Sequence, residues 1–82
     1  MVKQQRWVET LKLINTKMLV TGGSIDMLNV GAATGSFTGS ASGSVPVDIP
    51  VGDGYTLEYT NYAYDNILID ATGTEIHVAI KK

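Results

Sequence analysis

The only histidine of the 82-residue chain, His77, is the first residue to consider for chemistry. Imidazole changes charge near neutral pH and serves most often as a general acid, a general base or a metal ligand. In an extended strand, His77 would share one face with Glu75 and Ala79. This spacing predicts a surface histidine paired with a carboxylate rather than a catalytic group.

Nucleophilic catalysis requires a hydroxyl or thiol that a neighbouring base activates. The chain has no cysteine, and the Ser and Thr residues between positions 31 and 44 have no adjacent base and no nucleophile-elbow motif. We therefore predict no catalytic residue, no cofactor and no enzymatic activity.

The acidic residues do not follow a metal-binding pattern. Calcium loops place oxygen ligands at every second position, and zinc sites need clustered thiols and imidazoles. Asp48 and Asp53, beside a glycine-rich turn, remain an alternative cation site. The favoured prediction is that the chain binds no metal.

Aromatic residues give the best indication of a binding surface, because tyrosine and tryptophan are enriched in protein interfaces. The predicted interface contains Trp7, Leu11, Phe37, Tyr55, Tyr59, Tyr62 and Tyr64. An alternative stays open for Tyr62 and Tyr64, whose rings lie beside Asn61, Asp65 and Asn66 and would suit a sugar ring. In that alternative the chain is a small glycan-binding or adhesion module.

The last third of the chain predicts the β-strands that would position these residues. Its apolar residues recur at every second position, in the sets Tyr55, Leu57 and Tyr59, then Ile67 and Ile69, then Ile76, Val78 and Ile80. This period is typical of half-buried strands. The polar segment 70–74, which contains Gly73, predicts a hairpin between the last two sets.

Residues 4–20 fit either a helical face or two strands. The β-branched and aromatic content and the lack of a helix cap favour strands, with a turn at 15–17. Gly22 and Gly23 predict a two-residue hairpin loop, with residues 24–30 as its return strand.

Residues 31–44 are Gly, Ala, Ser and Thr except for Phe37. This composition is typical of a mobile surface loop. The alternative is an arm that becomes ordered on a neighbouring subunit with Phe37 as its anchor, because small residues allow close backbone approach.

Residues 45–51 have Val or Ile at every odd position and Pro or Asp at every even position, which is the period of a strand. Pro46 and Pro50 remove two backbone donors, so this strand is predicted at a sheet edge. A turn at 52–54 follows.

Length and charge indicate an assembling protein. One domain, residues 1–82, is at the small end of what buries a core alone, and without disulfides oligomerisation is the expected source of extra stability. The cations Lys3, Arg6, Lys12 and Lys17 make the head basic, whereas the body is acidic. This asymmetry favours contact between copies, and the cations are too few for a nucleic-acid partner.

The first residues are not followed by an uninterrupted apolar run. A secretory signal and a membrane span are therefore not expected, which predicts a cytoplasmic location, or a virion if the protein is viral.

The basic head over residues 3–17, the small-residue tract over 31–44 and the strand over 45–51 that leads into the β-region 55–80 resemble the small decoration or cement proteins on the capsids of tailed bacteriophages. The resemblance covers the organisation of the whole chain. It implies a virion location, capsid subunits as partners, and symmetric clusters that clamp those subunits.

The sequence thus predicts an all-β chain, a small antiparallel sandwich or barrel of six to eight strands. Residues 1–16 would be an extended N-terminal arm or first strand, 31–44 a Gly/Ser-rich loop and 45–82 the β core. The predicted function is a non-enzymatic structural protein that self-associates and binds neighbouring subunits. Deletion of residues 1–12 is expected to weaken the oligomer far more than the body.

Overall fold

The computed structural model describes residues 8–58 and 64–81. These residues form eight β-strands and no helix. The strands are β1 (Val8–Ile14), β2 (Lys17–Gly22), β3 (Ser24–Asn29), β4 (Gly35–Thr38), β5 (Val47–Ile49), β6 (Gly54–Leu57), β7 (Tyr64–Asp70) and β8 (Glu75–Lys81).

The strands form two four-stranded antiparallel sheets that pack face to face. The front sheet has the order β1-β8-β3-β6, and the back sheet has the order β2-β7-β4-β5. The predicted all-β antiparallel fold is confirmed, and of the two predicted forms it is the sandwich.

The core lies between the inner faces of the two sheets, and strand alternation determines which residues reach it. The buried apolar residues are Leu13, Val20, Ile25, Met27, Phe37, Ile49, Ile67, Ile69, Ala71, Ile76, Val78 and Ile80. Both halves of the chain contribute to this set. The core is therefore not confined to residues 45–82.

Two predicted hairpins are wrong, because each is a corner between sheets. Neither β2 and β3 nor β7 and β8 pair with each other, since β3 pairs with β6 and β8, while β7 pairs with β2 and β4. At the second corner Ala71 is fully buried, and its N–H donates to the carbonyl of Thr16 at 2.8 Å. The glycine signal marks a reversal of the chain but does not tell whether the chain returns in the same sheet.

The strand prediction for residues 4–20 is confirmed from residue 8 onward, with the corner at Asn15 and Thr16. Residues 4–7 lie outside the described ranges. From Val8 the N-terminal segment is a strand of the front sheet, not an extended arm, because β1 pairs with β8 over seven positions. The expectation for deletion of residues 1–12 needs correction, since that deletion removes most of a strand whose Leu11 packs against the core.

The small-residue tract contains a strand of the back sheet. Strand β4 begins at Gly35, where an added Cβ would lie 2.9 Å from the carbonyl oxygen of Asp70. Phe37 is 6% exposed and belongs to the core of its own chain. The interpretation of this segment as a mobile loop, or as an arm anchored by Phe37 on a neighbour, is therefore corrected for residues 35–38.

Strand β5 lies at an edge of the back sheet, as its prolines predict. It is only three residues long, because Pro46 and Pro50 flank it on both sides. Gly52 has φ +82° in the turn that follows, a conformation that glycine adopts without strain.

Candidate interaction surface

The predicted pair of His77 and Glu75 is present on the outer face of the front sheet. The His77 Nε2 lies 2.6 Å from a carboxylate oxygen of Glu75, and both side chains are partly exposed. Register places His77 between Lys12 on β1 and Leu28 on β3. The pair therefore has a cation and an apolar side chain as its cross-strand neighbours.

A shallow depression of about 480 Å³ lies on the same face. Its lining residues are Thr10, Leu11, Lys12, Asp26, Met27, Leu28, His77, Val78 and Ala79. Within residues 8–58 and 64–81, no group of three or more His, Cys, Asp or Glu side chains could hold a metal ion. Of the alternative cation pair, Asp48 lies on β5 and Asp53 lies in the turn that follows.

The described members of the predicted interface contribute mainly to the chain's own packing. The rings of Phe37 and Tyr55 come from opposite sheets and lie 4.6 Å apart between centroids, with a tilt of 54°. Tyr55 keeps 44% of its surface exposed at the edge strand β6. The two rings thus close one side of the core.

Leu11 and Tyr64 also pack against the core. The Tyr64 hydroxyl donates to the carbonyl of Glu58 at 2.6 Å, which ties β7 to the end of β6. Trp7, Tyr59 and Tyr62 lie outside the described residues. The alternative of a sugar site formed by Tyr62 and Tyr64 stays an untested prediction.

A buried polar cluster around Asn29 was not foreseen. Asn29 is fully buried, and its Nδ2 donates to the carbonyls of Ala33 and Ile49, each at 2.8 Å. Its Oδ1 accepts from the Thr74 hydroxyl at 2.8 Å and from the Gly31 N–H at 3.0 Å. In the sequence, the one indication of this cluster is that Asn29 follows Ile25 and Met27 at every second position, which places its side chain on the inner face of the strand.

Two corners meet beside this cluster. Asn15, in the left-handed region at φ +50°, accepts a hydrogen bond on its Oδ1 from the N–H of Gly73 at 2.9 Å. Hydrogen bonds from the hydroxyl and the N–H of Thr72 lower the pKa of Asp70, and the nearby Lys17 ammonium lowers it further against a small opposing effect of burial. These contacts hold the β1–β2 corner against the β7–β8 corner.

The outer edge of β1 carries backbone hydrogen-bonding groups that no described strand uses. The Asn15 N–H donates to the carbonyl of Thr74, the residue opposite it in the register. The backbone groups of Asn15, and of every second residue before it, therefore face β8. Because hydrogen bonding alternates along an antiparallel pair, the backbone groups of Val8, Thr10, Lys12 and Ile14 point away from β8. No described strand pairs with that side of β1.

The two sides of the sandwich differ in how their edges are protected. One side ends in β1 and β2, with seven and six residues and no proline, and the other ends in the shorter β5 and β6. The pairing of β2 with β7 shifts register between Val20 and Gly22, and the extra residue lies on β7, so β2 offers an edge of six residues against seven in β1. Strand β1 is therefore the longest regular free edge among the described strands.

Exposed apolar side chains add to this side. The large apolar side chains that remain exposed are Val8, Ile14, Met18, Leu19, Leu28, Val30, Val45, Val47, Val51 and Tyr55. Four of them lie on β1 and β2, and two more lie on the outer face of the front sheet at the end of β3. The other four lie on or next to β5 and β6, so the long free edge of β1, together with its apolar side chains, marks the β1 side as a candidate interaction surface.

Comparison with protein-family models, with curated proteins and with solved structures finds no match to this chain. Within the ranges 8–58 and 64–81, no helix has the length and apolarity that crossing a membrane requires. The candidate surface therefore rests on geometry alone.

Proposed function

We propose that the chain is a non-enzymatic structural subunit that self-associates and binds neighbouring subunits of a larger assembly. The contrast between its sheet edges carries the proposal. Long edges without proline are templates for a strand from another chain, and monomeric proteins usually shorten, bend or block them. In the described part of this chain, only the side formed by β5 and β6 has short edge strands, and prolines flank β5 at both ends.

The exposed apolar side chains of Val8, Ile14, Met18 and Leu19 support the same conclusion. A small domain encloses a limited fraction of its surface, so burial between copies would add stability that a single copy lacks. Backbone hydrogen bonds at the edge would supply affinity, and the flanking side chains would supply specificity.

Capsid decoration on a tailed bacteriophage is the specific form of this proposal. Its support is the organisation of the sequence, together with an edge and an apolar surface suited to contact with protein subunits. In this form the partners are further copies of the chain and the capsid protein.

The native mass tests the proposal. Sedimentation equilibrium of the full-length chain is expected to give a mass above the 8.8 kDa of one copy, increasing with concentration until assembly is complete. A constant single-copy mass up to the highest soluble concentration would refute self-association. Binding to isolated capsid proteins would be measured separately, because self-association alone does not identify the assembly.

A further inference from the structure

We propose that two copies pair through antiparallel β1 strands related by a two-fold axis at Leu11, which joins two front sheets into one continuous sheet. This inference rests on the proposed self-association and names its geometry. The occupant of the β1 edge is a second copy of the same strand.

The register follows from the length of β1. Leu11 is the midpoint of Val8–Ile14, so an axis at Leu11 pairs all seven residues with their counterparts. Within these seven described residues, an axis at Thr10 or at Lys12 would pair only five. Among registers built from the described strand, the central one therefore forms the most backbone hydrogen bonds.

The backbone directions fit this register. Val8, Thr10, Lys12 and Ile14 point their N–H and C=O groups to the free edge. With the axis at Leu11, Val8 lies opposite Ile14 of the second copy, and Thr10 lies opposite Lys12. Each of these pairs is a hydrogen-bonded pair of an antiparallel ladder.

The side chains fit it as well. Val8 is 61% exposed and Ile14 is 57% exposed, and the axis places these two apolar side chains against each other twice. The charge of Lys12 faces a neutral threonine, whereas an axis at Lys12 would oppose two lysines directly. Lys12 therefore disfavours the shifted register.

Strand β2 is less suited to the same role. It has six residues against seven in β1, and a two-fold axis at Leu19 would pair only residues 17–21. Its free-edge groups belong to Lys17, Leu19 and Thr21, because Thr16 faces β7 through its hydrogen bond from Ala71. The N–H of Leu19 thus points to the free edge of β2 as the N–H of Thr10 points to the free edge of β1, so Leu19 is the matched control position.

The first test uses proline on each edge. Thr10→Pro removes an N–H that faces away from β8, so the hydrogen bonds within the single chain are kept. Circular dichroism would check that the variant keeps the strand content of the wild type. Self-association is expected to weaken at least about tenfold, because the two-fold axis removes two hydrogen bonds per dimer. Leu19→Pro, which removes the corresponding donor of β2, is expected to leave the dimer unchanged in sedimentation equilibrium.

The second test uses cysteine on the axis, since the native chain has no cysteine. Opposed residues in the non-hydrogen-bonded pair at Leu11 have Cα atoms about 4.5 Å apart, within the range of about 4.4–6.8 Å that a disulfide spans. Leu11→Cys is expected to form a covalent dimer on mild oxidation, whereas Leu19→Cys stays monomeric on non-reducing gels.

The outcomes separate the two proposals. A monomeric wild-type chain would refute both the proposed function and this inference. A wild-type oligomer that persists in Thr10→Pro, or that cross-links through Leu19→Cys rather than Leu11→Cys, would refute the β1 pairing while leaving self-association in place.

Discussion

The Thr74 hydroxyl donates a hydrogen bond of 2.8 Å to the side-chain oxygen of Asn29, although 45 residues separate the two along the chain. Both side chains are buried, and among the described residues no buried side-chain polar atom lacks a partner. The bond joins the β7–β8 corner to the end of β3. It thereby connects the corner that closes the sandwich to the loop that leads into β4.

Thr74→Val should reduce the free energy of unfolding by about 1–3 kcal/mol, because it leaves a buried acceptor of Asn29 without the hydroxyl donor. Thr74→Ser keeps the hydroxyl and loses only a methyl group, so its cost should be about 0.8 kcal/mol or less. Urea unfolding followed by circular dichroism measures both. A valine variant as stable as the serine variant would contradict the role of this bond.

Phe37→Ala should destabilise the single chain by about 3–5 kcal/mol, because the ring fills the core. This loss of unfolding free energy should be the same at every protein concentration. If Phe37 instead anchored one copy on another, the loss would change with protein concentration. Tyr55→Phe keeps the ring contact with Phe37 and should be nearly neutral, while Tyr55→Ala should lose about 1 kcal/mol or more. Unfolding curves at two protein concentrations distinguish the cases.

Gly35→Ala should cost about 1–3 kcal/mol, because the added methyl group would lie 2.9 Å from the carbonyl oxygen of Asp70. Gly39→Ala is the matched control in the same tract. Its added methyl group would meet only the flexible side chain of Ser44, at 3.3 Å and beyond. Equal thermal stability of the two variants would argue against close packing of β4 on β7.

Asp70 should make stability depend on pH in the acid range. Its pKa is lowered by hydrogen bonds from Thr72, so the folded state holds the carboxylate form more strongly than the unfolded state. The resulting stability is present above about pH 4, the ordinary range of the unfolded group, and is lost as the pH falls through the lower folded pKa.

The expected loss for Asp70→Asn at pH 7 is less than about 1 kcal/mol, because solvent screens this corner. The difference from wild type should shrink toward pH 2 in urea unfolding. Asp48→Asn removes the same charge from the same face of the back sheet and controls for net charge. A difference that is constant between pH 7 and pH 2 would contradict the assigned cause.

The sequence by itself determined the local structure of most strands. The alternation of Ile76, Val78 and Ile80 predicted three buried side chains, and the spacing of Glu75 and His77 predicted their common face. Pro46 and Pro50 predicted an edge strand. These features follow from the pleat of a strand and from a missing N–H, which are properties of a few consecutive residues.

Only the tertiary structure decided which strands pair and where the small-residue tract lies. The glycines at 22 and 73 are compatible with a hairpin or with a corner, and the choice depends on packing between residues distant in the chain. Phe37 became a core residue because the back sheet places it opposite Tyr55 of the front sheet. Long-range burial and hydrogen bonding set these outcomes, and a pattern that extends over a few residues does not contain them.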